Sequence, residues 1–313
     1  MKKNFLLLIT SIIVVLSIIE ILLRIYGLGN PIIYEKSLLW GYSPMPNQKS
    51  KRLENAMVTI NEDGLRTSKK FTNTNKIIFY GDSVTYGGSY IDDLEIFSEL
   101  VCEKLNKTKE VYSCGNAGVN AYGIRNIIKR TKNYENKFPN HYKIITIIEG
   151  DFYRNFSQIK SLPYFTQPIE NIFKATTELA LYSLDLIRNN KRFGDNNNYY
   201  KKNHEDFDII EINESTNELV NLYKINKKNN TPIKIIWSPA FEDFSKNKME
   251  YKNKKIFNIL QKEIGDDFID MRNLLENLNV DINKIYYDGI HLNKFGHSIY
   301  AEIITEIIKK KNY

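Results

Sequence analysis

Short runs of Ile, Phe and Trp recur along the chain: KIIFY at residues 76–80, KIITII at 143–148 and IKIIW at 233–237. Each is too short for a helix and apolar throughout rather than alternating, which is the pattern of strands buried on both faces. Two weaker strands are expected at residues 111–113 and 268–270. Amphipathic stretches lie between them: Phe97, Leu100, Val101 and Leu105 repeat at helical spacing, and helices are expected at 122–134, 252–264 and 296–309. Strands alternating with helices predict a parallel, doubly wound sheet covered on both faces, with ligands bound beyond the carboxyl ends of the strands.

The N-terminus follows other rules. Lys2 and Lys3 precede residues 5–23, almost unbroken Leu, Ile and Val apart from Ser, Thr and Glu20. At about 1.5 Å per residue this stretch crosses most of a hydrocarbon layer of roughly 30 Å. Residues 25–30 (IYGLGN) carry no small-residue cleavage pattern, so an uncleaved single-pass anchor is expected. Retention of Lys2 and Lys3 on the inside places the remaining chain on the non-cytoplasmic side, with Arg24 as the opposing charge. The chain divides into an anchor (1–29), an irregular membrane-proximal arm (30–76) and a catalytic domain (77–313) containing an insertion or lid at 151–230.

The net charge of +7 is spread among many Asn and Lys, so it reads as solvated surface, and no nucleic-acid motif accompanies it. The two cysteines, Cys102 and Cys114, are expected as buried free thiols, although an exported location permits a disulfide. No cysteine set or H-E-x-x-H points to a metal, no phosphate-binding glycine loop is present, and no cofactor is implied. His141 and His204 read as solvated, and His297 as a surface or capping residue.

Chemistry concentrates in two distant segments, GDSVT at 81–85 and DGIH at 288–291. A serine hydroxyl is a weak nucleophile unless an imidazole takes its proton, and the imidazole needs an acid to fix its tautomer. Ser83, His291 and Asp288 fill these roles. The competing role for Ser83 is a helix N-cap after a strand. Thr85 occupies the position where an α/β-hydrolase elbow needs its last glycine.

The ordered pair resembles the SGNH, or GDSL-type, hydrolase family over residues 61–310, with 151–230 poorly matched. The first block is GDSVTYG at 81–87 and the last is DGIHLN at 288–293 with Gly296-His297; residues 61–66 (NEDGLR) also resemble a segment of membrane-anchored members. For NEDGLR, a turn at Gly64 tied by Arg66 is expected. The resemblance implies a flavodoxin-like three-layer α/β/α fold, with Ser83 as nucleophile, His291 as general base and Asp288 as orienting acid. It also implies an oxyanion hole formed from the Ser83 N–H and the loop at 116–123, where Ala121 stands at the usual glycine and Gly118 is the fallback. The third block departs from the pattern: Gly150 stands where the family carries an oxyanion-binding asparagine, ahead of Asp151. Loss of one such donor costs ~10²–10³ in rate unless another group replaces it, with Asn155, Asn120 and Arg154 as candidates.

Asp82, Asp151 and Asn155 complete the list of candidate substrate-side residues, although Asp82 and Asp151 have bracing roles as their alternative. Tyr86, Tyr122 and Tyr153 either line a sugar cleft or pack in the core. The implied activity is hydrolysis of a short acyl ester, an O-acetyl group on a cell-surface carbohydrate. The competing readings are an O-acyltransferase acting on glycan and a catalytically silent binding or assembly protein.

Overall fold

A computed structural model describes residues 2–71, 75–107, 111–154, 156–159, 165–193, 209–244 and 254–310. Its centre is a five-stranded parallel sheet of β5 (Asn75–Tyr80), β6 (Tyr112–Asn116), β7 (Tyr142–Ile147), β8 (Ile233–Trp237) and β9 (Phe268–Asp270), in the order β6-β5-β7-β8-β9. Counted within the sheet this is 2-1-3-4-5, the flavodoxin-like order, which reverses at β5 and opens a crevice at the carboxyl ends of β5, β6 and β7.

The strand side chains explain the unbroken apolar runs. In β5, Ile78 and Tyr80 enter one core layer while Ile77 and Phe79 enter the other, and β8 divides Ile233, Ile235 and Trp237 from Ile236 in the same way. One layer is closed by α4 (Ile124–Lys137), α6 (Ile209–Lys228) and α7 (Lys254–Ile264). The opposite layer is closed by α3 (Phe97–Leu105), α8 (Met271–Asn277) and α9 (Lys294–Lys309).

The arm expected to be irregular contains two antiparallel hairpins, β1 (Tyr34–Ser37) with β2 (Gly41–Pro44) and β3 (Gln48–Lys51) with β4 (Met57–Ile60). Their alternating polarity is short and interrupted, so it leaves little periodic signal, yet Tyr34, Tyr42, Val58 and Ile60 reach the main core. Within residues 151–230, α5 (Lys174–Phe193) is followed by α6, which packs on α4 and α7 and leads into β8 as a sheet-covering helix. The Asn-rich stretch 194–200 and His204 lie outside the described residues.

Four further expectations are corrected. Cys102 on α3 and Cys114 on β6 form a disulfide, their Cα atoms 5.7 Å apart, because helix and strand pack face to face. His141 is buried, 2.6 Å from the Tyr80 hydroxyl, and His297 is wholly buried with Nδ1 accepting from the Phe97 N–H. Arg66 does not tie its own turn; that turn is held by Asn61 Oδ1, which accepts from the N–H groups of Asp63 and Leu65.

The N-terminal helix α1 (Lys2–Tyr26) is long and apolar enough over Lys3–Tyr26 to cross a membrane, and only a small part of it is covered by the domain.

Candidate active site

The chain turns sharply out of β5. Gly81 has no room for a side chain: a Cβ would lie 2.1 Å from Thr85 Oγ1 and 2.4 Å from the Thr146 carbonyl oxygen. Asp82 then caps the one-turn helix α2 (Ser83–Tyr86), its Oδ1 accepting from the Val84 N–H at 2.9 Å. This leaves Ser83, the first helical residue, at the mouth of the crevice. Asn116, at the end of β6, braces the turn by donating from Nδ2 to the Thr85 carbonyl at 2.6 Å.

On the other side, Asn293 caps α9 through the Gly296 N–H and donates to the Lys284 carbonyl, fixing the loop that carries DGIH. Gly296 is required there, since a Cβ would fall 2.2 Å from the Ile285 carbonyl oxygen. Asp288 folds the loop through Oδ1, which accepts from the N–H groups of Ile290 and His291. The result is a continuous series: Asp288 Oδ2 is 2.7 Å from His291 Nδ1, and His291 Nε2 is 2.8 Å from Ser83 Oγ. A proton on Nδ1, facing the carboxylate, leaves Nε2 to accept from the serine hydroxyl. Burial opposes ionisation of Asp288, but the His291 N–H and imidazole outweigh it and hold the carboxyl below its ordinary range.

Among the oxyanion candidates, the N–H groups of Ser83 and Ala121 donate to no described residue. Ala121 adopts φ 60°, a left-handed conformation an alanine holds only when its loop imposes it. Gly118 is removed from the set because its N–H donates to Asn116 Oδ1 at 2.9 Å. Gly150 lies in the short turn Glu149–Tyr153 after β7 and carries no side chain to offer.

The substrate-contact roles considered for Asp82 and Asp151 are corrected, because both side chains are wholly buried. Between them sits Arg154, whose Nη1 donates to Asp82 Oδ2 at 3.0 Å, Asp151 Oδ1 at 2.8 Å and the Tyr122 carbonyl at 3.0 Å. One guanidinium therefore joins the turn that carries Ser83, the Ala121 loop and the turn after β7. Burial, and then the neighbouring Asp82 carboxylate, push Asp151 well above the usual carboxylate range despite Arg154. Arg154 Nη2 stands 3.8 Å from the point a Cβ at Gly150 would occupy. Asn155 lies outside the described residues.

Sequence reading missed the support behind Ser83. Arg66, almost wholly buried, pairs with Asp93 at 2.9 Å and donates to the carbonyls of Tyr86, Gly88 and Ile91, closing the loop that leaves α2. Nothing in the spacing of Arg66 and Asp93 announces a pair formed across a loop. Tyr86 and Tyr122 are core residues, whereas Tyr287, more than half exposed, stacks on Tyr90 with ring centroids 4.1 Å apart, next in sequence to Asp288.

No protein-family model matches the chain, and no curated protein matches it. Similar solved structures include a lipase/acylhydrolase from Enterococcus faecalis, at 15% identity and TM-score 0.46 over 76% of this chain and 96% of that one. An acetyl xylan esterase is similar at 16% identity and TM-score 0.43, over 74% and 99% of the two chains. An acetylxylan esterase from Geobacillus stearothermophilus is similar at 13% identity and TM-score 0.43, over 76% and 95%. These are likenesses at low identity, and the chemistry of this chain rests on its own residues.

Proposed function

We propose that the protein is a membrane-anchored serine esterase of SGNH type that cleaves a short acyl ester, and that an O-acetyl group on a cell-surface carbohydrate is its substrate. The observation that carries the esterase reading is the hydrogen-bonded series from Asp288 through His291 to Ser83 Oγ. Ser83 Oγ attacks the acyl carbon while its proton passes to His291 Nε2; the alcohol leaves with that proton, and water then repeats the sequence to release the acid. Asp288 stays ionised and stabilises the imidazolium. The N–H groups of Ser83 and Ala121 receive the oxyanion, and Arg154 supplies positive charge where the family's asparagine is missing. The exposed Tyr287 ring beside Asp288 supports a sugar-bearing substrate, because apolar sugar faces stack on aromatic rings.

Retention of the anchor is supported by the contacts at its end. Glu20 accepts from the N–H groups of Ala175 and Thr176 at 3.0 and 2.9 Å, so α1 caps α5. Cleavage after Tyr26 removes that cap. The positive residues before the span favour a domain on the non-cytoplasmic side.

The test is p-nitrophenyl acetate hydrolysis by the detergent-solubilised full chain. Ser83→Ala is expected to lower kcat/KM by ~10³-fold or more at unchanged thermal stability. Equal rates in the two proteins remove the nucleophile assignment. Acetate release from an O-acetylated glycan, compared with release of longer acyl groups from the same glycan, tests the substrate.

A further inference from the structure

We propose that the outward face of α5 lies in the membrane–water interface, so that the domain meets the bilayer on two elements; this rests on reading α1 as a membrane span. Helix α5 starts at the foot of α1. Besides the two N–H groups, the Glu20 carboxylate accepts from Thr176 Oγ1 at 2.9 Å, and Arg24 bonds Glu20 at 2.7 Å while donating to the Ile172 carbonyl at 2.8 Å. One turn into α5, Glu178 accepts from the Gly29 N–H and pairs with the buried Arg52. The start of α5 is thereby held against the chain that emerges from α1, at the level where the apolar stretch ends.

Helix α5 exposes large apolar side chains while it buries a carboxylate. Its inward side carries the buried Ala175 and Glu178, whereas Leu179, Ala180, Leu184 and Ile187 are exposed. At 3.6 residues per turn these four lie within an arc of about 140° that also holds Thr176 and Ser183 and is centred opposite Glu178. Ile172, just before the helix, is 78% exposed, and no described residue covers this face.

Lipid is the occupant favoured by position. On α1, Ile21, Leu22 and Ile25 are exposed immediately beside the junction, so the apolar surface of the span continues towards Ile172 and α5. Tyr26, also exposed, marks the depth at which aromatic rings settle at a membrane surface. A helix with an apolar outer face at that depth buries it among acyl chains and headgroups.

The experiment uses the full chain in liposomes, with single cysteines carrying an environment-sensitive fluorophore at Ile13, Leu184, Ile187 or Leu278. Cys102 and Cys114 are joined to each other and take no label. The expected result is quenching of the Ile13 label by nitroxides deep in the acyl chains. The Leu184 and Ile187 labels are expected to be quenched at least about twofold by nitroxides near the headgroups, and the Leu278 label by neither. If Ile13 is quenched while Leu184 and Ile187 behave like Leu278, the span stands and the α5 proposal falls. If Leu184 and Ile187 are shielded from aqueous iodide yet unquenched by lipid nitroxides, a second copy or another part of the chain covers the face, and the proposal again falls. An unquenched Ile13 overturns the span itself.

Discussion

At Gly150, an added Cβ meets Ile148 Cδ1 at 3.6 Å and Arg154 Nη2 at 3.8 Å, ordinary van der Waals separations, so the backbone accommodates a Cβ where the resembled pattern places an asparagine. This makes the oxyanion assignment testable in both directions. Arg154→Lys keeps one charge but loses the fork that reaches Asp82, Asp151 and Tyr122 while standing beside Gly150, and kcat is expected to fall ~10²-fold. Adding Gly150→Asn to that variant is expected to restore most of the loss, whereas in the wild type it changes little. Failure of the double variant to recover, at equal stability, would show that Arg154 only braces the loops. A second residue-scale outcome concerns His297, which burial and then the Arg66 charge hold down at about 3, against 6.5 in the unfolded chain. Because the folded form refuses a proton that the unfolded form accepts, stability is full above pH 6.5 and declines as pH falls from 6.5 towards 3. At pH 5 the loss is about 2 kcal/mol. Urea midpoints at pH 7 and pH 5 should therefore lie closer together in His297→Gln than in the wild type.

Among the elements, α5 depends on a side chain supplied by another helix. Glu20 satisfies its first N–H groups, so Glu20→Ala is expected to cost about 1 kcal/mol, lowering Tm by roughly 2–4 °C in detergent. An unchanged Tm would show that the junction of α1 and α5 contributes nothing. The same comparison of local and distant forces explains which elements were legible. Strand β8 was readable to the residue, Ile233–Trp237, because burial on both faces leaves a nearly unbroken apolar pattern, and the edge strand β9, Phe268–Asp270, matched its expected bounds on a weaker local signal. Strand β6 runs to Asn116 rather than ending at Ser113, because its last residues are Cys, Gly and Asn, and pairing with β5 rather than side-chain type keeps them extended. The hairpins of the arm were invisible for a related reason: Gln48, Lys49 and Lys51 look like loop until the pairing with β4 is seen.

Over the whole molecule, the parallel sheet was legible because short apolar strands alternate with amphipathic helices, whereas the meeting of Ser83 with His291 was an expectation of the paired GDSVT and DGIH motifs. What escaped were interactions with no local signature. Arg66 reaches Asp93 and three carbonyls across a loop, Cys102 finds Cys114 through helix-on-sheet packing, and His141 and His297 are buried by elements distant in the chain. Each depends on what folds over a residue rather than on its neighbours in sequence. Catalysis of the proposed kind requires a serine whose proton is withdrawn by His291, and a fluorophosphonate probe reads that property directly. The folded full chain is expected to incorporate one phosphonyl group on the peptide containing Ser83, and His291→Ala is expected to abolish labelling at that residue. A folded wild type that takes no label, or a His291→Ala variant that labels as fast as wild type, would contradict the account.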